Sequence, residues 1–274
     1  MMFSVLMSVY CKEDPLALDN SINSVLKSTI IPDEFVIVKD GPLPKTLESI
    51  INSYQTRYPN IIKIIENKRN LGLGKSLAKG LLECRNEIVA RMDSDDICRN
   101  DRFNKQLEIL DKNPDIAIVG SNISEYNEDM SKKIGKRTTP QYDQEIREYS
   151  KKRNPFNHMT VMFRKTAIID AGNYMDMSYF EDYYLWLRLI RKNKGYNIQE
   201  ELVHARTGID MIKRRGGLKY VRSIIKFEKT IKKEGFINGK TMLFNICSRL
   251  FAAMIPFSVR SLLYKKYLHK KTME

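Results

Sequence analysis

The sequence predicts an α/β fold in which a mainly parallel sheet is covered by helices on both faces. Short apolar runs, typical of buried strands, alternate with segments whose apolar residues recur at helical spacing. This strand-helix alternation over about the first 120 residues is the order found in parallel-sheet proteins. A chain of 274 residues, 42% hydrophobic and 29% charged, is long enough for one sizeable core.

Five strands and four helices are predicted in alternation. The strand FSVLMSVY precedes the helix PLALDNSINSVLKST, and the strand EFVIVKDG precedes the helix LPKTLESIINSYQTRY. The strand IIKIIEN precedes the helix GKSLAKGLLECRN, and the strand EIVARM precedes the helix NDRFNKQLEILDKN. DIAIVGSNI is the fifth strand. Each strand is a largely apolar run, and each helix has apolar residues three or four positions apart.

The next part of the chain has a weaker pattern. Residues 125–155 are polar, which predicts connecting or lid-like structure, and NHMTVMFRKTAIIDAGNY predicts a strand followed by a short helix. FEDYYLWLRLIRKNKG predicts a helix with Glu181 and Asp182 in its first turn, where acidic residues suit the helix dipole. We expect one α/β domain over residues 1–212 and a basic helical region over residues 213–274.

The net charge of +14 is concentrated at the C-terminal end. Sixteen of the 47 basic residues but three of the 33 acidic ones lie between Lys213 and Glu274, so this segment carries +13 and the remainder +1. A nearly neutral body with a basic tail is expected to meet an anionic surface through the tail, either membrane or nucleic acid.

The tail TMLFNICSRLFAAMIPFSVRSLLYKKYLHKK mixes apolar and basic residues. Arg249 and Arg260 interrupt it and Pro256 would break a helix, so a transmembrane span is not predicted. The two arginines are eleven residues apart, about three helical turns, which places them on one face of an interfacial helix. We predict docking on an anionic membrane surface. The alternative is a helical subdomain packed on the rest of the chain, with a solvated basic face.

Cysteine usage and the N-terminus predict a cytoplasmic protein. The four cysteines are scattered without a CxxC pair, which argues against a zinc site or a disulfide framework. The N-terminal MMFSVLMSVY lacks the basic region and the small-residue cleavage site of a signal peptide.

Polar clusters follow three of the predicted strands, at Ser8–Cys11, Lys39–Gly41 and Asp93–Asp96. Ligands bind beyond the carboxyl ends of parallel strands. The adjacent carboxylates of DSDD repel one another unless a cation is present. They suit Mg²⁺ or Mn²⁺ bound together with a phosphorylated ligand. The alternative is a solvated acidic turn before the next helix, with Asn100 or Asp101 as its cap.

Several other motifs are excluded by single residues. LGLGKS is not a phosphate-binding loop, because Arg69 stands where that loop needs its first glycine. Leu77 replaces the third glycine of a dinucleotide fingerprint. DSDD is not an EF-hand, since Ile97 occupies the fifth position of the loop.

Five motifs occur in one order over roughly residues 3–208: SVLMSVY, IVKDG, ENKRNLGLGKSLAKG, ARMDSDD and FEDYYLWLRL. With this order and spacing the sequence resembles glycosyltransferase family 2, the nucleotide-sugar-dependent enzymes of the GT-A fold. Within that family it resembles the bacterial enzymes that build O-antigen, capsule or exopolysaccharide repeat units. The resemblance implies transfer of a hexose from a UDP-sugar to an undecaprenyl-diphosphate-linked sugar, at the cytoplasmic face of the bacterial inner membrane.

The resemblance also implies a nucleotide-sugar site. A nucleobase pocket would be lined by Ser8, Val9 and Tyr10, and Asp40 would accept a hydrogen bond from the uracil imide N–H. The residues that would approach the nucleoside and the diphosphate are Arg69, Asn70, Gly72, Lys75, His204 and Arg206. Glycine permits close approach, and cations suit phosphate oxygens. The alternatives are an ordinary DG turn at Asp40 and a helix start with solvated charges at Arg69 to Lys75.

In the DSDD element the resemblance places Asp93 and Ser94 near the ribose and the sugar. Asp95 would bind Mn²⁺ or Mg²⁺, and Asp96 would be a less direct partner of the metal. His158 is expected to be a hydrogen-bonded structural residue.

For catalysis the resemblance implies that Asp182 is the general base, with Glu181 beside it in contact with the acceptor. Trp186 would be either an acceptor platform or a buried core residue. An in-line attack by the acceptor hydroxyl inverts the anomeric configuration, and so produces a β-glycoside from an α-linked donor.

Two other classes stay open as alternatives. A nucleic-acid-binding protein is disfavoured because the tail lacks interleaved aromatic residues and DSDD would repel phosphate without a metal. A nucleotidyltransferase acting on sugar phosphates should carry a glycine-rich loop near the N-terminus, and SVYCKEDP has no glycine.

Overall fold

A computed structural model describes residues 1–208 and 217–254, with side chains as far as residue 251. The strands are β1 Phe3–Val9, β2 Glu34–Lys39, β3 Ile62–Glu66, β4 Ile88–Arg91, β5 Ile97–Cys98, β6 Ile116–Tyr126, β7 Lys133–Arg137, β8 Met162–Arg164 and β9 Lys194–Arg206. The helices are α1 Pro15–Leu26, α2 Lys45–Arg57, α3 Leu73–Glu83, α4 Arg102–Lys112, α5 Asp143–Ser150, α6 Lys165–Asp170, α7 Glu181–Ile190, α8 Gly217–Lys233 and α9 Gly239–Met254. The predicted boundary at residue 212 lies outside the described residues.

The sheet has the strand order β3-β2-β1-β4-β8-β6-β9-β5, with β7 paired to β6. Strands β1 to β4 pair in parallel. Strand β8 is antiparallel to both of its neighbours, β4 and β6, so β6 runs in the same direction as β1 to β4. The five predicted strands therefore share one direction, as a mainly parallel sheet requires, although β8 separates the fifth strand from the other four.

The core lies on both faces of the sheet. Val5, Met7 and Val9 of β1 pack in one buried cluster with residues of α1, α2 and α4. Leu6 packs in a second cluster with residues of α3, α6 and α7. Successive side chains of a strand point to opposite faces, so the almost wholly apolar FSVLMSV is the pattern of a strand that is buried on both sides. The predicted cover of helices on both faces is confirmed.

The segment predicted to be connecting or lid-like contains regular structure, which corrects that interpretation. Strand β7 pairs with β6, and Arg137 of β7 forms an ion pair with buried Glu125 of β6 at 2.9 Å. Residues Asp143–Ser150 form α5. Strands β5 and β9 were also missed. Both depend on pairing with residues far away in the sequence, which a local pattern does not reveal.

Helices α8 and α9 pack against α7 through an aromatic-rich cluster. The rings of Phe180 and Phe227 stack at a centroid distance of 4.5 Å, and Ile224 and Ile231 of α8 are fully buried in the same cluster. The part of the basic region that the structure describes is therefore a helical subdomain packed on the α/β body. No helix within residues 1–208 or 217–254 combines the length and the apolar character needed to cross a bilayer.

Arg249 was predicted on the same face of an interfacial helix as Arg260, but the structure packs it inside the protein. Its guanidinium carbon lies 5.4 Å from the ring centroid of Phe180, 5.6 Å from that of Tyr183 and 5.9 Å from that of Phe227. Its Nε lies 3.1 Å from Oε1 of Glu228, a fully buried carboxylate. Arg249 thus joins α9 to α8 and α7. Pro256 and Arg260 lie outside the described residues.

Arg249→Ala is expected to lower the free energy of unfolding by about 3 kcal/mol, because it leaves Glu228 charged and buried without its cation. Chemical denaturation measures this loss. Lys229→Ala, which removes an exposed cation of α8, is the control and is expected to change stability little. Equal stability of the Arg249 variant and the control would contradict the structural role of this ion pair.

Candidate active site

The three polar clusters predicted at strand ends lie side by side. Strands β2, β1 and β4 are neighbours, and Val9 pairs with Lys39 while Leu6 pairs with Arg91. The order of the parallel strands reverses between β1 and β4, because β2 and β3 extend to one side of β1 and β4 lies on the other. Clefts beyond such a reversal are where open α/β sheets bind ligands.

The carboxylates of Asp93, Asp95 and Asp96 converge after β4. One oxygen from each lies within 4.8 Å of the others. The alternative interpretation, a solvated turn that caps α4, is not supported. Asp101 occupies the cap position of α4, but its side chain makes no capping hydrogen bond and pairs with Arg99 instead.

The cluster is electrostatically unfavourable without a cation. Burial and then the charge of Asp93 raise the pKa of Asp95 to about 6. Burial and then the charges of Asp95 and Asp93 raise the pKa of Asp96 well above its ordinary value. Oδ2 of Asp96 is buried without a hydrogen-bond partner among the described residues. An all-oxygen donor set with an unpartnered buried carboxylate oxygen fits Mg²⁺ or Mn²⁺.

Arg91 offsets part of this charge and was missed by the sequence analysis. Its side chain is 1% exposed, and Nη1 forms an ion pair with Oδ1 of Asp93. Its Nε is buried and has no hydrogen-bond partner in the described part of the chain. The signal was present in the sequence, because an arginine inside the apolar run EIVARM must find an anionic partner when that run becomes a central strand.

Arg206 reaches the carboxylate cluster from the end of β9. Its backbone N–H donates to Oδ1 of Asp96 at 2.8 Å, and its Nε donates to the carbonyl of Asp95 at 3.1 Å. His204 lies two residues earlier, with Nδ1 hydrogen-bonded to Ser124 Oγ at 3.0 Å. Burial lowers the pKa of His204, which favours the neutral imidazole. Contact of either residue with a diphosphate stays a prediction.

The residues predicted for the nucleobase pocket differ in exposure. Ser8 and Tyr10 are half-buried at the end of β1. The side chain of Val9 is fully buried in the core, and its predicted place in the pocket lining stays a prediction. Its carbonyl accepts a hydrogen bond from the N–H of Asp40 at 2.8 Å, so the backbone of Val9 joins the polar cluster after β1 to the one after β2.

Asp40 holds the loop that leads into α3. Its Oδ1 accepts from the N–H of Leu71 at 2.7 Å and from Nδ2 of Asn67 at 3.3 Å, and its Oδ2 accepts from the N–H of Gly72 at 3.0 Å. A carboxylate has about four acceptor positions. These three bonds therefore leave one for the uracil N–H, which stays a prediction.

Gly41 permits the close approach of the same loop. It has a φ of +92°, and a methyl group at this position would lie 2.6 Å from the backbone nitrogen of Asn70. The predicted phosphate contacts Arg69 and Lys75 are exposed, and Nζ of Lys75 lies 3.5 Å from Oδ2 of Asp176. This ion pair brings the start of α3 next to the loop that precedes α7.

Asp182 and Glu181 begin α7 and face different neighbours. Oδ2 of Asp182 accepts from Nδ2 of Asn154 at 2.7 Å, and Oδ1 accepts from the N–H of Tyr183 at 2.7 Å. A methyl group at Gly74 would lie 2.9 Å from Cγ of Glu181, so Glu181 lies against the first turn of α3. No feature of the sequence indicated Asn154.

A buried pair connects the two acidic motifs. The Tyr174 hydroxyl is hydrogen-bonded to Nε2 of His158 at 2.9 Å, in agreement with the structural role expected for that histidine. Burial raises the pKa of Tyr174, the charge of Arg91 lowers it, and the carboxylates of Asp182 and Asp93 raise it. The charges of both motifs thus act on this one buried hydroxyl, which links Asp93 and Asp182 electrostatically.

Trp186 is fully buried and packs edge-on against Phe156 and His158, so it is a core residue and not an acceptor platform.

Tyr179, three residues before Asp182, is 40% exposed with a φ of +71°. A positive φ is uncommon for an aromatic residue and occurs at ligand-binding sites. The exposed aromatic ring beside the acidic pair is therefore Tyr179.

Glu181 gives a stability prediction that depends on pH. Burial raises its pKa from 4.5 to about 7, so the folded state disfavours the charged form. The resulting loss of stability grows as the pH rises from about 4.5 to 7 and reaches at most about 3 kcal/mol. Glu181→Gln is expected to be more stable than the wild type at pH 8 but not at pH 4, in denaturation experiments.

The control for this experiment is Glu148→Gln, at an exposed position in α5. The same dependence of unfolding free energy on pH in the wild type and in the Glu181 variant would contradict the burial of this carboxylate.

The family model and the relatives that match this chain all describe glycosyltransferases. Residues 4–173 match the family model described as glycosyl transferase family 2. The chain is 39% identical over 274 residues to UDP-Gal:alpha-D-GlcNAc-diphosphoundecaprenol beta-1,3-galactosyltransferase of Escherichia coli, covering 98% of this chain and 97% of that protein. It is 37% identical to amylovoran biosynthesis glycosyltransferase AmsE of Erwinia amylovora, covering 97% and 98%.

Solved structures share the fold. S. aureus TarS 1–349 aligns with a TM-score of 0.67 at 16% identity, covering 93% of this chain and 73% of that one. Mannosyltransferase PcManGT of Pyrobaculum calidifontis, solved with GDP-Man and Mn²⁺, aligns with a TM-score of 0.65 at 12% identity, covering 98% and 84%. The GT-A architecture predicted by the five motifs is confirmed.

Proposed function

Because the chain belongs to glycosyltransferase family 2, we propose that it transfers galactose from UDP-galactose to N-acetylglucosamine carried on undecaprenyl diphosphate, with a β-glycosidic product, in bacterial surface polysaccharide synthesis. The observation that carries the proposal is the convergence of the three DSDD carboxylates beyond the point where the order of the parallel strands reverses. The near-full-length similarity to the galactosyltransferase supports the donor and the acceptor. Neither the nucleotidyltransferase nor the nucleic-acid-binding alternative is favoured.

Asp182 is the proposed general base. Its carboxylate takes a proton from the acceptor hydroxyl, whose oxygen attacks the anomeric carbon from the face opposite UDP. This in-line displacement turns the α-linked donor into a β-linked product. The hydrogen bonds from Asn154 and from the backbone of Tyr183 orient the carboxylate, so both are positioning groups.

The donor is held by the opposite side of the site. We assign the diphosphate to Arg69, Lys75 and Arg206, and the ribose side to Asp93. Asp95 would hold Mn²⁺ or Mg²⁺, and the unpartnered oxygen of Asp96 adds a further ligand to the same position. When bound, the ion neutralises negative charge on the departing diphosphate.

The proposal is tested with the full chain and a panel of UDP-sugars against a short-chain alkyl α-GlcNAc diphosphate. We expect thermal stabilisation by UDP with Mn²⁺ and transfer from UDP-galactose to a β-linked product, identified by NMR. Stabilisation by nucleoside triphosphates or oligonucleotides, but by no nucleoside diphosphate, would overturn the assignment in favour of one of the alternatives.

A membrane-facing surface is proposed on α9. It consists of one basic and three apolar residues, all exposed: Lys240, Leu243, Phe244 and Phe251. Nζ of Lys152 lies 5.7 Å from the ring centroid of Phe244, which adds a second cation. Exposed apolar side chains with nearby cations suit an interfacial helix on anionic lipid. The lipid-linked acceptor is presented at such a surface.

Replacing Leu243, Phe244 and Phe251 together by serine is expected to lower sedimentation with phosphatidylglycerol vesicles severalfold, because it removes most of the exposed apolar area of α9. The matched control replaces three exposed apolar residues of the α/β body by serine: Leu16, Ile31 and Leu82. An equal loss in both variants would contradict docking by α9. Deleting the chain after Gly235 is less informative, because it also removes Arg249.

A further inference from the structure

A cationic cleft lies between α8 and the loop that precedes α7. Its volume is about 200 Å³, and it is open to solvent. Its lining residues come from that loop and from one face of the helix: Met177, Ser178, Lys219, Arg222, Ser223 and Lys226. None of them belongs to the carboxylate cluster or to the predicted donor loop.

The cleft gathers positive charge from one face of α8. Lys219, Arg222 and Lys226 have the spacing i, i+3, i+7, which places them on one face of a helix. All three are exposed, and none forms an ion pair with a carboxylate of the described residues. The hydroxyl of Ser178 adds a hydrogen-bond donor, whereas that of Ser223 donates to the carbonyl of Lys219 at 3.1 Å.

The two walls of the cleft are held at a fixed separation. Met177 and Phe180 of the loop share a buried cluster with Ile224 and Phe227 of α8. The ring of Tyr179 packs edge-on against Tyr220 at a centroid distance of 5.2 Å. A ligand that enters the cleft therefore meets cations whose backbone positions are already fixed, which lowers the entropic cost of binding.

One wall of the cleft precedes the proposed base, Asp182, by only a few residues. Ser178 is four residues before Asp182, and the exposed Tyr179 lies between them. The proposed donor contacts, in contrast, come from α3 and from the end of β9. The molecule thus has two cationic regions that are built from different elements.

We propose that this cleft binds the diphosphate of the lipid-linked acceptor. The inference rests on the proposed function, which supplies an acceptor of this chemistry. A diphosphate esterified at both ends carries two negative charges. Arginine binds phosphate oxygens in pairs, lysine binds them as a point charge, and hydroxyls donate single hydrogen bonds. With its diphosphate held here, the acceptor sugar extends along Tyr179 towards Asp182, and the lipid chain extends away from the base.

The test measures binding of a short-chain alkyl α-GlcNAc diphosphate to the full chain by calorimetry, without donor. Replacing Lys219, Arg222 and Lys226 together by glutamine is expected to raise Kd at least about tenfold. The KM for the diphosphate acceptor should rise in parallel, while the KM for the UDP-sugar should stay unchanged. The neutral alkyl α-GlcNAc glycoside should bind the wild type and the variant equally weakly.

The matched control removes the same number of charges from α8 outside the cleft, by glutamine at Lys229, Lys232 and Lys233, which are exposed. Unchanged probe binding in this control supports the cleft. Equal weakening in both triple variants, or equal affinity of the wild type for the diphosphate and the neutral glycoside, would overturn it.

Two further measurements test the alternatives. One distinguishes a site for the acceptor from a site for lipid headgroups, and the other tests the proposed substrates separately from the cleft. Sedimentation with phosphatidylglycerol vesicles should fall equally in the two triple variants, and a larger fall in the cleft variant would assign the cleft to lipid headgroups instead. Stabilisation by UDP and Mn²⁺ without binding of the diphosphate probe overturns the cleft and leaves the glycosyltransferase assignment standing. Probe binding that depends on the cleft, without galactosyl transfer, overturns the proposed substrates alone.

Discussion

Asp182→Asn is expected to lower kcat by about 10²- to 10⁴-fold, the range for loss of a general base. The amide keeps the shape of the carboxylate but cannot take the proton of the acceptor hydroxyl. Because Asp182 lies on the acceptor side of the site, the Kd for UDP-sugar should not change. Stopped assays at saturating donor and acceptor measure the rate, and calorimetry measures donor binding.

Two variants make this test specific. Asp170→Asn, the same change at an exposed aspartate at the end of α6, should leave the rate unchanged. Glu181→Gln should keep a measurable rate, since Glu181 lies against α3 and is assigned contact with the acceptor only. Full turnover by the Asp182 variant, or a complete loss confined to the Glu181 variant, would give the role of base to Glu181.

Asp95→Asn is expected to have the second large effect. It should remove the stabilisation by UDP with Mn²⁺, but it should raise the stability of the protein without ligand. Thermal stabilisation by UDP with Mn²⁺ should be lost, because the cation loses a ligand; a ligand at 100 times its Kd contributes about 2.7 kcal/mol. Without metal or nucleotide, the variant should be more stable than the wild type, because one of three mutually repelling carboxylates has been neutralised.

The opposite signs distinguish a metal site from a structural acidic cluster. Asp111→Asn, at an exposed position in α4, is the control and should change neither measurement. An Asp95 variant that keeps its stabilisation by UDP with Mn²⁺ would contradict the metal assignment. A variant that is destabilised in the absence of ligand would show that the carboxylate stabilises the turn itself.

The N-terminal half of the fold could be predicted because its signals are local. Apolar runs define β1 to β4, of which β1, β2 and β4 are buried on both faces, and helical periodicity defines the helices between them. The DSDD cluster and Asp40 could be placed at strand ends for the same reason. The strands β5, β7 and β9 could not, because their stability comes from pairing with partners that are distant in the sequence.

The residues of the site divide in the same way, into those that a local motif reveals and those that only the folded chain reveals. Asp93, Asp95 and Asp182 stand in motifs, but the groups that orient them are single polar residues in unremarkable surroundings. Asn154 is recognisable only from its hydrogen bond to Asp182, and the carboxylate of Asp40 binds its own loop in a way that no spacing indicates. Arg249 was predicted on the face of an interfacial helix from its spacing to Arg260, yet aromatic packing encloses most of its side chain.

The pairing of Arg249 with Glu228 has a consequence for synthesis on the ribosome. Strands β1 to β4 and their helices contain the sheet ends assigned to the donor, and they leave the ribosome before α8 and α9. The loop before α7 gains its aromatic and cationic partners on α8 and α9 only when Phe227, and then Arg249, have been added. N-terminal parts of a chain fold first during translation. A nascent chain that has reached the end of β9 therefore contains every residue assigned to the donor, while the loop that receives the sugar still lacks its partners on α8 and α9. Premature termination between β9 and α8 is expected to give a chain that binds donor without transferring it.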